Sequence, residues 1–112
     1  MARKKVSKKA SSRVTRQKAE KLLADVPEEY AFWCCDGRIL RNMRELAGAF
    51  NVITDEVFAY HSNSEKSDFS NWVGDIIRDE KLARDLRECL SREQAEELVA
   101  ERVAFIEANL AG

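Results

Sequence analysis

His61 is the only histidine of this 112-residue chain. It stands just before the polar stretch Ser62-Asn63-Ser64-Glu65-Lys66-Ser67, and Asp68 stands just after it. The stretch is too polar to be buried and reads as a loop, so a loop that folds back brings the imidazole to the carboxylate. Such a pair has two uses. A carboxylate that fixes the histidine tautomer can make the ring a general base. The same hydrogen bond, with no nucleophile beside it, clasps a loop to a helix start. The sequence favours the clasp: only the loop serines offer a nucleophile, and no glycine-rich oxyanion turn is present. Trp72 belongs to the same constellation, through the helical spacing Phe69, Trp72, Val73, Ile76, Ile77 that puts one apolar face behind Asp68.

Cys34, Cys35, Cys89 and His61 are four zinc-ligand types. Adjacent cysteines lack the two-residue spacer that lets both thiolates converge on one tetrahedral ion, and on a strand they face opposite sides. They read as small hydrophobes, with at most one of the adjacent pair in the core. No metal and no cofactor is expected. Phosphate loops, dinucleotide fingerprints and helix-borne zinc motifs are absent.

The third chemistry is electrostatic. The net charge of -1 conceals a division along the chain. Residues 1–21 hold nine cations, Arg3, Lys4, Lys5, Lys8, Lys9, Arg13, Arg16, Lys18 and Lys21, against the single acid Glu20. Residues 22–112 hold ten cations and 19 acids, so a segment of +8 precedes a body of -9. Scattered Lys and Arg exchange phosphate counterions without reading sequence, and a charge asymmetry of this size is more informative than the total. Folding of the basic segment back onto the acidic body is a competing use.

These groups need a frame. Apolar residues at 45% and charged residues at 35% describe one soluble globular domain with a modest core. No apolar run approaches a membrane span, and no apolar segment follows the positive N-terminus as a secretory signal requires. Three cysteines, two of them adjacent, suit a reducing cytoplasm. Residues 1–21 are read as a disordered basic arm, and residues 22–112 as the globular helical domain. Val14, Ala19, Leu22, Leu23 and Val26 permit a helix stopped by Pro27, one that forms on binding.

Tyr30 to Cys35, Asp36-Gly37 and Arg38-Ile39-Leu40 make a short hairpin. Asn42 with Glu45 resembles a capping box, and Met43, Leu46, Ala47 and Phe50 form the stripe behind it. Thr54-Asp55-Glu56 opens one or two helical turns over Val57–Tyr60, with a strand as the competitor. Asp79 caps a helix through Cys89 that turns Leu82, Ala83, Leu86 and Leu90 inward. Ser91-Arg92-Glu93-Gln94 is a second capping box, leading to a face of Ala95, Leu98, Val99, Val103, Ile106 and Leu110. Phe105 lies off that face, available to a partner or a dimer. Trp33 and Trp72 are both read as core.

The order Val26-Pro27-Glu28-Glu29, Ala31-Phe32, Gly37, Leu46-Ala47, Phe58, His61, Asp68-Phe69, Trp72, Asp79 and Leu82-Ala83 resembles a small domain family of unknown function from archaea and some bacteria. The resemblance covers about residues 26–90, and its most specific part is His61 with Asp68-Phe69 and Trp72-Val73. Many members of that family carry Arg-Gly just before the aspartate, where this chain has Lys66-Ser67 and a longer loop. A role of that arginine in binding an anion does not transfer here. The resemblance implies a cytoplasmic, archaeal-type protein and no activity.

The expectation is a mainly α fold with one short β-hairpin at about residues 30–40 and a basic N-terminal arm. The function it suggests is non-enzymatic: a cytoplasmic protein whose arm contacts RNA, DNA or a ribonucleoprotein such as the ribosome or nucleoid. The second reading is a protein–protein adaptor, dimeric through surfaces such as Phe105 or recognised through its acidic body. The third is an enzyme centred on His61 and Asp68.

Overall fold

A long C-terminal helix is the spine of the domain, and its partners are laid against it in an order that the capping residues set. The structure is a computed structural model and describes residues 15–111, the side chain of Ala111 excepted. Helix α1, Arg16–Leu23, starts where Thr15 Oγ1 accepts the Lys18 amide at 3.1 Å. It buries Ala19, Leu22 and Leu23 and stops ahead of Pro27. A 3₁₀ turn, Glu28–Tyr30, leads into β1, Phe32–Trp33, which pairs antiparallel with β2, Ile39–Leu40. The register is Phe32 to Leu40 and Trp33 to Ile39.

Between the strands, the Gly37 amide bonds to the Cys34 carbonyl and the Cys34 amide to the Arg38 carbonyl. Gly37 has φ of 98°, the left-handed region that a side chain would strain. The hairpin therefore closes through three residues, Cys35-Asp36-Gly37, with the glycine in the bulge position.

Helix α2, Met43–Val52, follows its cap Asn42, whose Oδ1 accepts the Glu45 amide at 2.8 Å. Glu45 reaches back to the Arg41 amide at 2.8 Å, one residue before the cap. Helix α3, Asp55–His61, is capped by Thr54, so helix prevails over strand here. Helix α4, Asp68–Trp72, runs into a π-helical segment, Val73–Ile77, that ends at Arg78 in the left-handed conformation, φ 74°. Asp79 caps α5, Glu80–Arg87, and Ser91 accepts the Gln94 amide at the start of α6, Arg92–Ala111. α2, α1 and α5 all pack on α6.

The core joins these elements through aromatic contacts. Phe32 stacks on Phe69 with centroids 5.0 Å apart and meets Trp72 edge-on at 5.7 Å. Phe69 in turn meets Phe50 at 4.8 Å and Phe58 at 5.8 Å. The hairpin, α2, α3 and α4 thus share one aromatic cluster. Ser70, fully buried, ties α4 to α5 by donating to the Ala83 carbonyl at 2.6 Å. Among the described residues no helix is long and apolar enough to cross a membrane.

The mainly helical architecture with one antiparallel hairpin agrees with the sequence reading; four details differ. Trp33 is 70% exposed rather than in the core, because strand alternation turns it outward once Phe32 faces inward. Leu90 is 91% exposed, since α5 ends at Arg87 and Leu90 falls in the turn before α6. Ala49 is buried in the α2 stripe while Ala47 is only half-buried. Ala19 is fully buried and α1 begins at Arg16, N-terminal to the domain boundary expected at residue 22. Residues 1–14, most of the expected arm, lie outside the described residues.

Candidate functional site

His61 is the last residue of α3 and Asp68 the first of α4. The intervening loop is closed by a bridge between Ser62 and Ser67 and by Asn63, whose Oδ1 accepts the Glu65 and Lys66 amides. This Asx-type fold-back lets short polar residues replace a hairpin ladder. It brings His61 Nδ1 to 2.9 Å from Asp68 Oδ2. The other ring nitrogen, Nε2, accepts the Cys35 backbone amide at 3.0 Å. An amide can only donate, so Nε2 is the bare nitrogen and the proton sits on Nδ1, pointing at the carboxylate. The ring is 5% exposed and touches Phe32, Tyr60 and Phe69. One neutral side chain therefore pins the hairpin turn, the end of α3 and the start of α4 together.

Lys66 completes the cluster. Its Nζ lies 3.2 Å from Asp68 Oδ2 and 4.2 Å from the centre of the Tyr60 ring. Burial pushes the Asp68 carboxyl up, but the hydrogen bonds from His61 and Lys66 outweigh it and hold the group below the usual carboxylate range. A depressed folded-state pKa contributes stability above the unfolded value of about 3.9 and loses it as pH falls through the folded one. The Asp68 share of stability should thus be complete at neutral pH and vanish only in acid below that range. Ser67 makes no side-chain cap bond, and Asp68 accepts from side chains rather than from helix-start amides. Asp68 therefore ties the loop to the histidine and does not cap α4.

These partners set the order of mutational effects. His61→Ala removes two hydrogen bonds and three ring contacts and leaves the Cys35 amide unpaired, whereas Asp68→Ala removes one partner of an already neutral ring. His61→Ala should cost more, about 2–3 kcal/mol, against about 1 kcal/mol for Asp68→Ala. The pair should be non-additive by at least about 0.5 kcal/mol in urea melts, because both substitutions delete the same bond. Additive losses would deny the clasp.

As a base, the histidine is poorly placed, since the lone pair that would take a proton is already held by the Cys35 amide. A cleft of about 770 Å³ runs along the outer side of the loop, between Asn63, Lys66, Asn71, Arg87 and Leu90, and neither His61 nor Asp68 lines it. The cysteines do not gather. Cys34 is buried, Cys35 exposed and Cys89 half-buried. Burial pushes the Cys34 and Cys89 thiols up, away from thiolate reactivity. Among the described residues no three His, Cys, Asp or Glu side chains are placed to hold a metal ion.

Trp72 is buried, its indole N–H donating to the Tyr30 carbonyl at 2.7 Å. Of the nine expected nucleic-acid contacts, Arg3, Lys4, Lys5, Lys8, Lys9 and Arg13 lie outside the described residues. Arg16, Lys18 and Lys21 are exposed on α1, Arg16 within 3.7 Å of Glu20. Two features escaped the sequence reading. Arg78 joins Lys18 and Lys21 at one cleft, and its only sequence signal is a position after an apolar stripe. The Trp33 ring is free on the hairpin's outer face, and the alternation with Phe32 is the signal that would have found it. No protein-family model, no curated protein and no solved structure matches the chain.

Proposed function

We propose that this is a non-enzymatic binding protein whose basic N-terminal segment contacts nucleic acid or a ribonucleoprotein, with a cytoplasmic location. The observation that carries the proposal is the charge division, +8 over residues 1–21 and -9 beyond them. Helix α1 supports it: Ala19, Leu22 and Leu23 anchor one face to the domain, while Lys18 and Lys21 stay on the exposed face, continuing the basic run onto a rigid element. The occupied nitrogens of His61 support a structural rather than catalytic centre. The family resemblance over residues 26–90 adds no activity and is compatible with this reading.

Removing residues 1–14 tests it. That cut keeps Thr15 and all of α1, whereas a cut at residue 21 would take away the buried Ala19. Six cations leave with the segment, so the salt dependence of binding to nucleic acid should fall by about 4–5 in log–log slope, and affinity at low salt should collapse. Unchanged binding by the shortened protein, read by fluorescence anisotropy with an unspecific RNA or DNA probe, would remove the segment from the function.

The adaptor reading has one observation in its favour, the exposed aromatic pair Trp33 (70%) and Tyr30 (52%) beside the hairpin. Exposed aromatic anchors of this kind are common at protein interfaces. Co-purification of protein without nucleic acid at low salt would favour it.

A further inference from the structure

Most cations of the folded body are committed to acids. Arg38 pairs with Asp36, Arg44 with Glu107, Lys66 with Asp68, Lys81 with Asp85, Arg92 with Asp55 and Arg102 with Asp79. Among the described residues Lys18, Lys21, Arg41, Arg78, Arg84 and Arg87 have no ion-pair partner, and of these Lys18, Lys21 and Arg78 lie together. All three line one cleft of about 460 Å³, and no acid lines it with them. The neighbouring acids are turned to other work, Glu20 to Arg16 and Asp79 to Arg102. Asp75 and Glu80 do not reach the cleft. In a folded part whose residues 15–112 sum to -7, a concave surface that holds only positive charge focuses attraction on an anion.

The backbone at Arg78 points the same way. The π-helical insertion Val73–Ile77 ends there, and the Arg78 amide closes it on the Val73 carbonyl at 2.8 Å. The residue sits at φ 74° and ψ 32°, a helix-ending position that glycine takes without strain. The cap uses only the backbone, so it gives no reason for an arginine. π insertions and left-handed non-glycine residues are both found at binding sites more often than elsewhere. The apolar Leu22, Ile76 and Ile77 line the same cleft, with Thr15 and Gln17.

We propose that Lys18, Lys21 and Arg78 form a phosphate-binding cleft in which the folded domain grips a single strand of nucleic acid, the phosphate against the three cations and the attached sugar against Leu22, Ile76 and Ile77. This rests on the nucleic-acid reading given above and adds to it a fixed point on the domain. A single strand suits the cleft because its sugars and bases can turn inward. A duplex presents its phosphates on a convex ridge with the bases stacked away, and answers to the N-terminal segment alone.

The test compares a short single-stranded oligonucleotide with a duplex of the same length, by fluorescence anisotropy over a salt series, on the full chain. Arg78→Gly keeps the cap and should melt like the parent. Its affinity for the single strand should fall about 3–10-fold, with the log–log salt slope reduced by about 0.7, and duplex binding should hardly change. Lys18→Gln with Lys21→Gln, both on the exposed face of α1, is the second variant and should lower the same slope by about 1.4. If the parent binds single strands and both variants bind them equally well, the cleft is overturned while the nucleic-acid reading stands. If the variants lose single strand and duplex alike, the cleft is only part of a general charge and the proposal fails. If the parent binds neither probe even at low salt, the nucleic-acid reading itself falls, and the cleft with it.

Discussion

Trp72→Ala is expected to destabilise the domain by about 3–5 kcal/mol, the usual cost of emptying a large aromatic site in a core. The indole is only 7% exposed and lies edge-on to Phe32, so its removal opens a void between the hairpin and α4 that neither element can close alone. It also strands the Tyr30 carbonyl, whose partner is the indole N–H at 2.7 Å. A domain of this size has about 5–15 kcal/mol to lose, so the variant should sit near the edge of folding. Trp72→Phe separates the contributions: most of the ring packing survives, the hydrogen bond does not, and about 1–2 kcal/mol should go. Urea unfolding of the three proteins decides the matter. A near-neutral Trp72→Ala would mean that the hairpin does not depend on this ring.

The parts of the fold that were legible in the sequence are those whose physics is local. Asn42, Thr54, Asp79 and Ser91 announce helix starts because a short oxygen side chain beside an unsatisfied amide is a requirement of three or four residues. Each accepts a helix-start amide in the structure. Even these show where locality ends. Glu45 and Gln94 fold back to the amides of Arg41 and Leu90, one residue before the cap, where a standard capping box would return to the cap itself. His61 and Asp68 were legible for the same reason, being joined by a loop short and polar enough to close.

What was not legible is set at a distance. The third partner of the clasp, the Cys35 amide, comes from a turn 26 residues away, and nothing in either segment marks it. Phe32 and Trp33 are equally apolar, so which of them faces inward depends on the side of the hairpin that meets α4. The π insertion escapes because one added residue per turn changes the helical period only locally, while the stripe Phe69, Trp72, Val73, Ile77 still fits ordinary spacing. Arg78 becomes visible only when that insertion has turned it toward α1.

Asp79 and Arg102 show the same division in one interaction, and breaking them carries the second large effect. Asp79 was legible as a cap, and its Oδ1 does accept the Leu82 amide at 3.2 Å. Its partner on α6 was not: Arg102 Nε reaches Oδ2 at 2.7 Å and Nη2 reaches Oδ1 at 3.1 Å, a bidentate pair that joins α5 to the spine. The carboxylate side chain is 2% exposed and the guanidinium side chain 17%. Arg102→Met keeps the length and apolar stem of the side chain but leaves a buried charge with one amide for company. The expected loss is about 3–5 kcal/mol, because an unpaired buried ion costs more than the pair was worth. Asp79→Asn keeps an oxygen for the cap and removes the charge. In the Arg102→Met background it should therefore recover a good part of the loss, so that the double variant is more stable than the Arg102→Met single. Denaturant melts of the four proteins give the answer. A double variant that loses the sum of the two singles would show that the cost of Arg102→Met lies in packing along α6 and not in a stranded carboxylate.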